Sequence, residues 1–274
     1  MDGFQGAAMR PPVVLSIAGS DPSGGAGIQA DTKTVSALGG YAATAITAVT
    51  VQNTRGVTAV EYLPAALVVA QIDAVLDDLH PDAVKIGMTG TAAIVRSVAA
   101  ALRGYGSPCV VLDPVAVSTS GRALIEEEAL AALCDEVFPL CRLVTPNLNE
   151  AERLLGHPVT TVEEMEQGAE ELFRRYGCAF LVKGGHLAGD WMTDVLCDGA
   201  ISRFDSPRIA TGNLHGTGCT LSSAIATGLA SGRTLREAVG QGKAYMDRVI
   251  AAARDLHMHI GSGNGPLWHF PDRR

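Results

Sequence analysis

What the chain lacks narrows the field first. Its six cysteines (Cys109, Cys134, Cys141, Cys178, Cys197 and Cys219) are scattered singly with no CxxC pair. Neither a zinc ribbon nor a thioredoxin-type redox motif is therefore in play, and reduced core residues are expected. No long basic run occurs, and 29 acidic against 21 basic residues leave a formal charge of −8. That is a poor match to a nucleic-acid surface, although glycine loops and one or two lysines can still bind phosphate within an acidic chain. No apolar run approaches the roughly 20 residues of a membrane-spanning helix. Met1 to Pro12 has one arginine, two prolines and no apolar core segment, so it does not read as a secretory signal. A cytoplasmic protein is expected. Repeats, low-complexity tracts and interdomain linkers are also missing, which implies one domain over 1–274 with 1–12 as a flexible extension.

What is present is a large apolar fraction, 47%, enough for a sizeable core. Strand and helix patterns alternate along it. Val13 to Gly19 reads as a buried strand, Ser20 to Gly27 as a glycine-rich loop, and Ile28 to Leu38 as a helix stopped by Gly39-Gly40. Strands are expected at Tyr41–Val51, Val57–Tyr62, Ala83–Met88, Cys109–Val115, Leu143–Thr145 and Ala179–Val182. Helices are expected from Pro64 to about His80, over Thr91–Leu102, Glu126–Val137, Asn149–Leu155 and Val162–Tyr176, and from Leu235 to about Arg254. Trp191–Cys197 and Ile201–Phe204 look like a hairpin around Asp198-Gly199-Ala200. The pattern predicts an α/β fold with one mostly parallel sheet covered on both faces. Ligands in such folds sit beyond the carboxyl ends of the strands.

The stretch His215-Gly216-Thr217-Gly218-Cys219-Thr220 opens directly into a helical pattern. A glycine turn at a helix start leaves backbone N–H groups unpaired and gathers partial positive charge, so it suits an anion. The same field would favour the thiolate of Cys219. Taken alone, the stretch is equally a helix start with a buried cysteine. Several strand ends also finish in polar or glycine clusters: Gly19 to Gly27, Gln52-Asn53, Asp113, Thr145-Pro146-Asn147 and Lys183-Gly184-Gly185. In a parallel sheet these converge on one rim.

Their combination resembles the ribokinase-like superfamily, and within it the hydroxymethylpyrimidine/phosphomethylpyrimidine kinases of thiamine biosynthesis. The likeness runs from Ile17 to Phe270. Ala18-Gly19-Ser20-Asp21-Pro22-Ser23-Gly24-Gly25-Ala26-Gly27-Ile28-Gln29-Ala30-Asp31 is similar to the family's amino-terminal signature. Lys183-Gly184-Gly185-His186, the turn at 215–220 and Gly265-Pro266 with His269-Phe270 follow in the family's order. The resemblance implies a three-layer α/β/α sandwich and phosphoryl transfer from ATP with Mg²⁺ to a pyrimidine alcohol and then to its monophosphate. A homodimer is usual among such relatives.

Residue by residue, the resemblance puts the moving phosphoryl group at Gly216, Thr217, Gly218 and Cys219. Cys219 stands where many superfamily members carry an aspartate base, so it either removes a proton or positions the alcohol. Lys183, Asn147 and Thr145 fall at the nucleotide, and Asp113 and Glu150 at Mg²⁺. The spacing Asn147-Leu148-Asn149-Glu150 matches an Asn-x-x-Glu element; without the family, Glu150 is an ordinary first-turn helix carboxylate. The pyrimidine falls to Gly19, Ala26, Asp31, Gln52, Met88 and Val115. Unaided, Asp31 would be a solvent-facing helix residue and Met88 core. A carboxamide such as Gln52 donates and accepts at once, which suits an aminopyrimidine edge. Relatives that prefer pyridoxine tend to carry methionine there, so a pyridoxine/pyridoxal kinase is the runner-up. A non-catalytic pyrimidine-binding protein is the rival from another class. His215 is expected to shape the turn, while His186 and His269 fit the pattern without a role. After Val115 the family often has methionine; here Ala116 follows, which leaves room for broader substrates.

Overall fold

Residues 10–106, 109–115, 125–185, 187, 189–256, 258 and 260–272 are described by a computed structural model. The chain winds around a nine-stranded sheet with the order β3-β2-β1-β4-β5-β6-β7-β8-β9. β1 (Val13–Ser20) lies inside it, paired in parallel with β2 (Tyr41–Asn53) on one side and β4 (Ala83–Ile86) on the other. β5 (Cys109–Leu112), β6 (Cys141–Val144) and β7 (Ala179–Lys183) continue the parallel run. Strands covered on both faces read as unbroken apolar runs, which is how Val13 to Ala18 and Ala179 to Val182 appear in the sequence. Antiparallel strands close both edges: β3 (Gly56–Tyr62) beside β2, and the hairpin β8 (Trp191–Cys197) and β9 (Ile201–Pro207) beside β7.

Helices cover the two faces separately. One apolar layer packs α2 (Ala65–Leu79), α3 (Ala92–Gly104), α4 (Glu127–Ala132), α5 (Leu148–Leu155) and α6 (Val162–Tyr176) around Ile72, Val98, Phe138, Leu154 and Leu172. The other seats α1 (Gly27–Ala37), α7 (Thr217–Ala230) and α8 (Leu235–Asp255) against Val111, Leu181, Ile225 and Val249. The predicted α/β/α layering is therefore present. None of the described helices is long and apolar enough to cross a membrane.

Three local expectations shift. The helix expected over 126–137 ends at Ala132 as α-helix, passes through a π turn at Leu133–Val137 and tightens into a 3₁₀ turn at Phe138–Leu140. Pro139 has no N–H for a continuing α-helix, so the chain must change its hydrogen-bond spacing there. Gln52 lies on β2 rather than in a closing loop. Its pairing passes from Val51↔Ala59 to Gln52↔Val57, a bulge with Thr58 as the extra residue, and such bulges re-aim side chains. Of the supposed flexible extension, residues 1–9 lie outside the described residues. Arg10 and Pro12 are tied down, Arg10 to Asp82 at 2.8 Å and the Pro12 carbonyl to the Tyr41 N–H at 2.8 Å.

Residues 261–270 form a strap across the top of the sheet. Arg55 Nε donates to Ser262 Oγ (2.7 Å), Asn264 N–H to the Thr54 carbonyl (2.8 Å) and His215 N–H to the Gly265 carbonyl (3.0 Å). The strap ends with His269 buried, its Nε2 3.0 Å from Thr220 Oγ1 and its carbonyl accepting from the Tyr245 hydroxyl at 2.7 Å. Burial pushes the His269 imidazole down to about 4, with the charge of Lys33 adding to the effect. An unfolded histidine titrates near 6.5, so as pH falls from 6.5 to 4 the unfolded chain binds a proton that the folded one refuses. Stability should then drop by up to about 3 kcal/mol across that window. Urea titrations of His269→Gln should show a slope against pH smaller by about one proton than the unchanged chain.

Candidate active site

Because β2, β1, β4, β5, β6 and β7 run the same way, their carboxyl ends meet at one rim, and a cavity of about 630 Å³ opens there. The size suits a small molecule with its co-substrate. It brings together Gly19, Ala26, Gln52, Met88, Asp113, Val115, Asn147, Glu150, Lys183 and the turn from Gly216 to Cys219. Residues 116–121 and His186 lie outside the described residues. Two expected contacts, Asp31 and Thr145, do not reach the cavity.

The turn is built by close approach of backbones. Gly216 caps α7 with φ +90° and no side-chain cap; the Thr217 N–H bonds the Leu214 carbonyl at 3.3 Å, and Gly218 and Cys219 of the first turn line the cavity. A Cβ at Gly216 would overlap the Gly25 carbonyl, and one at Gly27 would overlap that of Gly19. Only glycine fits at these places, for steric reasons beyond turn geometry. A Cβ at Gly218 would come within 2.9 Å of Asp113 Oδ2 and 3.4 Å of Lys183 Nζ. Gly218 thus lets a carboxylate and an ammonium stand beside the helix N-terminus.

Lys183 Nζ donates to Asp113 Oδ1 at 2.7 Å. Burial opposes the charge on Lys183, yet Asp113, then Glu150, hold its ammonium above the usual lysine range. Thr145 is fully buried behind this pair and donates to Asp113 Oδ1 at 3.2 Å; it supports Asp113 instead of meeting a nucleotide directly. Asn147 and Glu150 form a capping box on α5. Asn147 Oδ1 takes the Glu150 N–H at 3.0 Å and Glu150 Oε2 takes the Asn147 N–H at 2.8 Å. The carboxylate is held by the helix start and still lines the cavity. The first-turn carboxylate expected from the sequence alone is therefore present.

Asp31 is a correction in the other direction. It has no exposed surface, and its carboxylate is bound by Lys85 Nζ (2.9 Å to each oxygen), Ser16 Oγ (2.6 Å) and Ser223 Oγ (2.8 Å). No acceptor site is left over for a pyrimidine. Lys85, equally buried, went unremarked in the sequence, although a lone lysine in the apolar strand Ala83-Val84-Lys85-Ile86 was the available signal. Despite its burial, the charge of Asp31 keeps the Lys85 ammonium well above the usual range.

The thiol of Cys219 is also corrected. Burial pushes it up to about 11; Lys85 and the Gly27 N–H pull it down, but Asp31 and Asp113 push it up again. These causes leave the thiol above its ordinary range, opposite to the direction a helix start alone would favour.

Asp21, unassigned in the sequence, organises the glycine loop. Its Oδ1 accepts from Ser23 N–H (2.8 Å) and Oγ (2.7 Å), and its Oδ2 from Ala26 N–H (2.8 Å), Gly25 N–H (3.1 Å) and His215 Nε2 (2.8 Å). Burial works against ionisation, but these donors, His215 first, bring the carboxyl down to about 2. The Ser20-Asp21-Pro22-Ser23 stretch carried the signal, since aspartate commonly binds the backbone two residues on.

An uncapped glycine turn beside a carboxylate–lysine pair, both lining one cavity, suits phosphoryl transfer. The family model described as phosphomethylpyrimidine kinase matches residues 21–268. The chain belongs to the phosphomethylpyrimidine kinase family. Among relatives, the hydroxymethylpyrimidine/phosphomethylpyrimidine kinase of Rhizobium meliloti is 54% identical, over 94% of this chain and 97% of that one. The crystal structure of phosphomethylpyrimidine kinase from Clostridium difficile is 41% identical with a TM-score of 0.77, covering 87% of this chain and 99% of the other. A pyridoxal kinase from Staphylococcus aureus in complex with ADP is 30% identical with a TM-score of 0.88, covering 97% and 96%. The fold is ribokinase-like, and a kinase of this family uses ATP as co-substrate.

Two outcomes follow for this kinase. Replacing Lys85 with Met strands a buried carboxylate and should cost about 3–5 kcal/mol in urea unfolding, whereas Lys85→Met with Asp31→Leu should recover much of it. Peptide mapping after iodoacetamide should show little alkylation of Cys219 from pH 7 to 9 and a steep rise toward pH 11; a rise centred below pH 8 would contradict the raised thiol.

Proposed function

We propose that this kinase transfers the γ-phosphoryl group of ATP to the hydroxymethyl oxygen of 4-amino-5-hydroxymethyl-2-methylpyrimidine, and then a second one to the resulting monophosphate. One observation carries the reading: the uncapped turn of α7 and the carboxamide of Gln52 face the same cavity. The first suits a phosphoryl group and the second an aminopyrimidine edge. Met88 supplies an adaptable apolar wall for the flat ring.

The reaction needs positioning and charge stabilisation more than covalent help. The N–H groups of Gly218 and Cys219 are placed for the equatorial oxygens of the moving group, with Lys183 beside them. Cys219 holds its proton near neutrality, so its task in this reading is to keep the alcohol in line. The alcohol proton leaves late, to an oxygen of the product phosphate. The nucleotide base is assigned to the other end of the cavity, lined by Met192, Ile209, Met246 and Ile250.

Among the described residues no group of three or more histidine, cysteine or acidic side chains could hold a metal by protein ligands alone. Mg²⁺ asks for less: one or two carboxylates, phosphates and water. Asp113 and Glu150, both lining the cavity near Lys183, fit that need. Bound there, Mg²⁺ would neutralise charge on the phosphates. We also infer a single kinase domain in a reducing, cytoplasmic setting, in keeping with six unpaired cysteines. A homodimer is supported by Val49 and Val51, which stand exposed near the sheet edge.

The Staphylococcus aureus neighbour gives the runner-up, a pyridoxine/pyridoxal kinase, its observation. Side-by-side product assays with MgATP should favour the pyrimidine alcohol, and a large preference for pyridoxine would overturn the assignment. Cys219→Ala should lower kcat by about 10²-fold with little change in pyrimidine affinity, because misplacing an attacking group costs on that order. Cys219→Ser, which keeps a short polar group at that place, should regain most of it; equal turnover in Cys219→Ala and the unchanged chain would remove the thiol from the chemistry.

A further inference from the structure

Gln52 and Val57 stand opposite each other at the outer end of β2 and β3, and both line the cavity. Beyond the bulge at Thr58 that ladder keeps only two pairs, Gln52↔Val57 and Asn53↔Gly56, at the edge of the sheet. A short edge-strand end of this kind is where ladders fray. Nor does the carboxamide anchor itself. Thr50 Oγ1 is 3.2 Å from it but 2.9 Å from the Ser20 carbonyl, and His215 Nε2 is 3.2 Å from it but 2.8 Å from Asp21 Oδ2. Each neighbour has a nearer partner. The placement of Gln52 therefore depends on what holds the backbone of the tip.

Thr54, two residues further on, is held by the strap. Its carbonyl accepts the Asn264 N–H at 2.8 Å, and its Oγ1 accepts the Ser262 and Gly263 N–H groups, each at 3.2 Å. Arg55 Nε adds its bond to Ser262 Oγ at 2.7 Å. The fit is close: a Cβ at Gly263 would fall 2.1 Å from the Thr54 carbonyl oxygen, and that obstacle is backbone. The strap's other end is fixed beside α7. The Gly265 N–H donates to the Gly212 carbonyl at 3.1 Å, the Gly265 carbonyl accepts from His215 at 3.0 Å, and His215 pairs with Pro266. A short run of main chain thus connects the tip that carries Gln52 to the residue before Gly216. Neither Thr54 nor any strap residue from 261 to 266 lines the cavity.

We propose that Thr54 is a positioning residue for the transfer: by tying the β2–β3 tip to the strap, it fixes Gln52 relative to the turn at Gly216 to Cys219, and with it the alignment of the substrate hydroxyl on the phosphoryl site. The inference rests on the reading above in which Gln52 meets the pyrimidine. Thr54 touches no substrate and acts through Gln52, which separates it from a residue that only stabilises the fold.

Two substitutions break the tie from opposite sides. Thr54→Val keeps the shape of the side chain and removes the Oγ1 acceptor. Gly263→Ala, at a residue outside the left-handed region, forces the strap away from the Thr54 carbonyl. Each should lower kcat/KM for the pyrimidine alcohol by about tenfold, somewhat less than a full 1 Å misplacement costs. KM for ATP should change by less than about twofold. Thr54→Ser, which keeps the hydroxyl, should stay within about twofold of the unchanged chain. In a Gln52→Ala background, Thr54→Val should cost less than about twofold, because effects that pass through one residue do not add.

A loss in every variant that folds, absent from the Gln52→Ala background, supports the proposal. Unchanged kcat/KM in either folded variant overturns it, as does a loss of the same size without the Gln52 carboxamide, or an equal rise in KM for ATP. If Gln52→Ala alone leaves the pyrimidine kcat/KM unchanged, the reading of Gln52 has failed and this inference falls with it. If Gln52→Ala is impaired while Thr54→Val and Gly263→Ala are not, only the inference has failed.

Discussion

A lysine and an aspartate with no access to water stand beneath the turn that opens α7, and four elements depend on their pairing. Asp31 comes from α1, Lys85 from β4, Ser16 from β1 and Ser223 from α7. Each supplies one part of a network that is acceptable in an apolar layer only when complete. The energetic argument for such a pair is weak, since apolar side chains of similar volume often pack as well. Its geometric content is stronger. With the pair formed, α7 can sit on the sheet in one position, and that fixes where Gly216 to Cys219 meet the cavity.

Above this base the site is made mostly of backbone. Gly19, Gly25, Gly27 and Gly216 come close enough that side chains there would overlap neighbouring atoms. The loop after β1 and the turn before α7 thus form a double layer of main chain, joined by the Asp21 carboxylate through five hydrogen bonds. Donors held in this way need no reorganisation when charge develops on a transferred group. The charged side chains are fewer and come from the neighbouring strand ends, Asp113 after β5 and Lys183 at the end of β7.

The layered fold was legible because buried parallel strands leave unbroken apolar runs and the helices between them carry their own start and stop residues. The turn at 215–220 was legible for the same reason, as was the gathering of Gln52, Asp113 and Lys183 on one rim. What the sequence did not disclose was depth. Asp31, expected at the ligand, is sealed beneath it, because the partner that neutralises it lies 54 residues away on another strand. Thr145 stands behind Asp113 for a similar reason. The acidity of Cys219 could not be read from a helix start, since burial and two carboxylates, from α1 and after β5, push the thiol up. Asp21 read as part of a glycine-rich loop; its carboxylate ties that loop together and joins it to His215.

The strap over 261–270 carries a consequence for how the molecule is made. Thr220, next to Cys219, finds its buried partner in His269, and the His215 N–H just before α7 is received by the Gly265 carbonyl. A chain synthesised from its amino end builds the sheet, both helix layers and the glycine loop before either contact exists. For that interval the turn before α7 lacks its partners at Gly265 and His269. The contacts that hold the strap against this turn therefore arrive only after every described strand and helix has been synthesised.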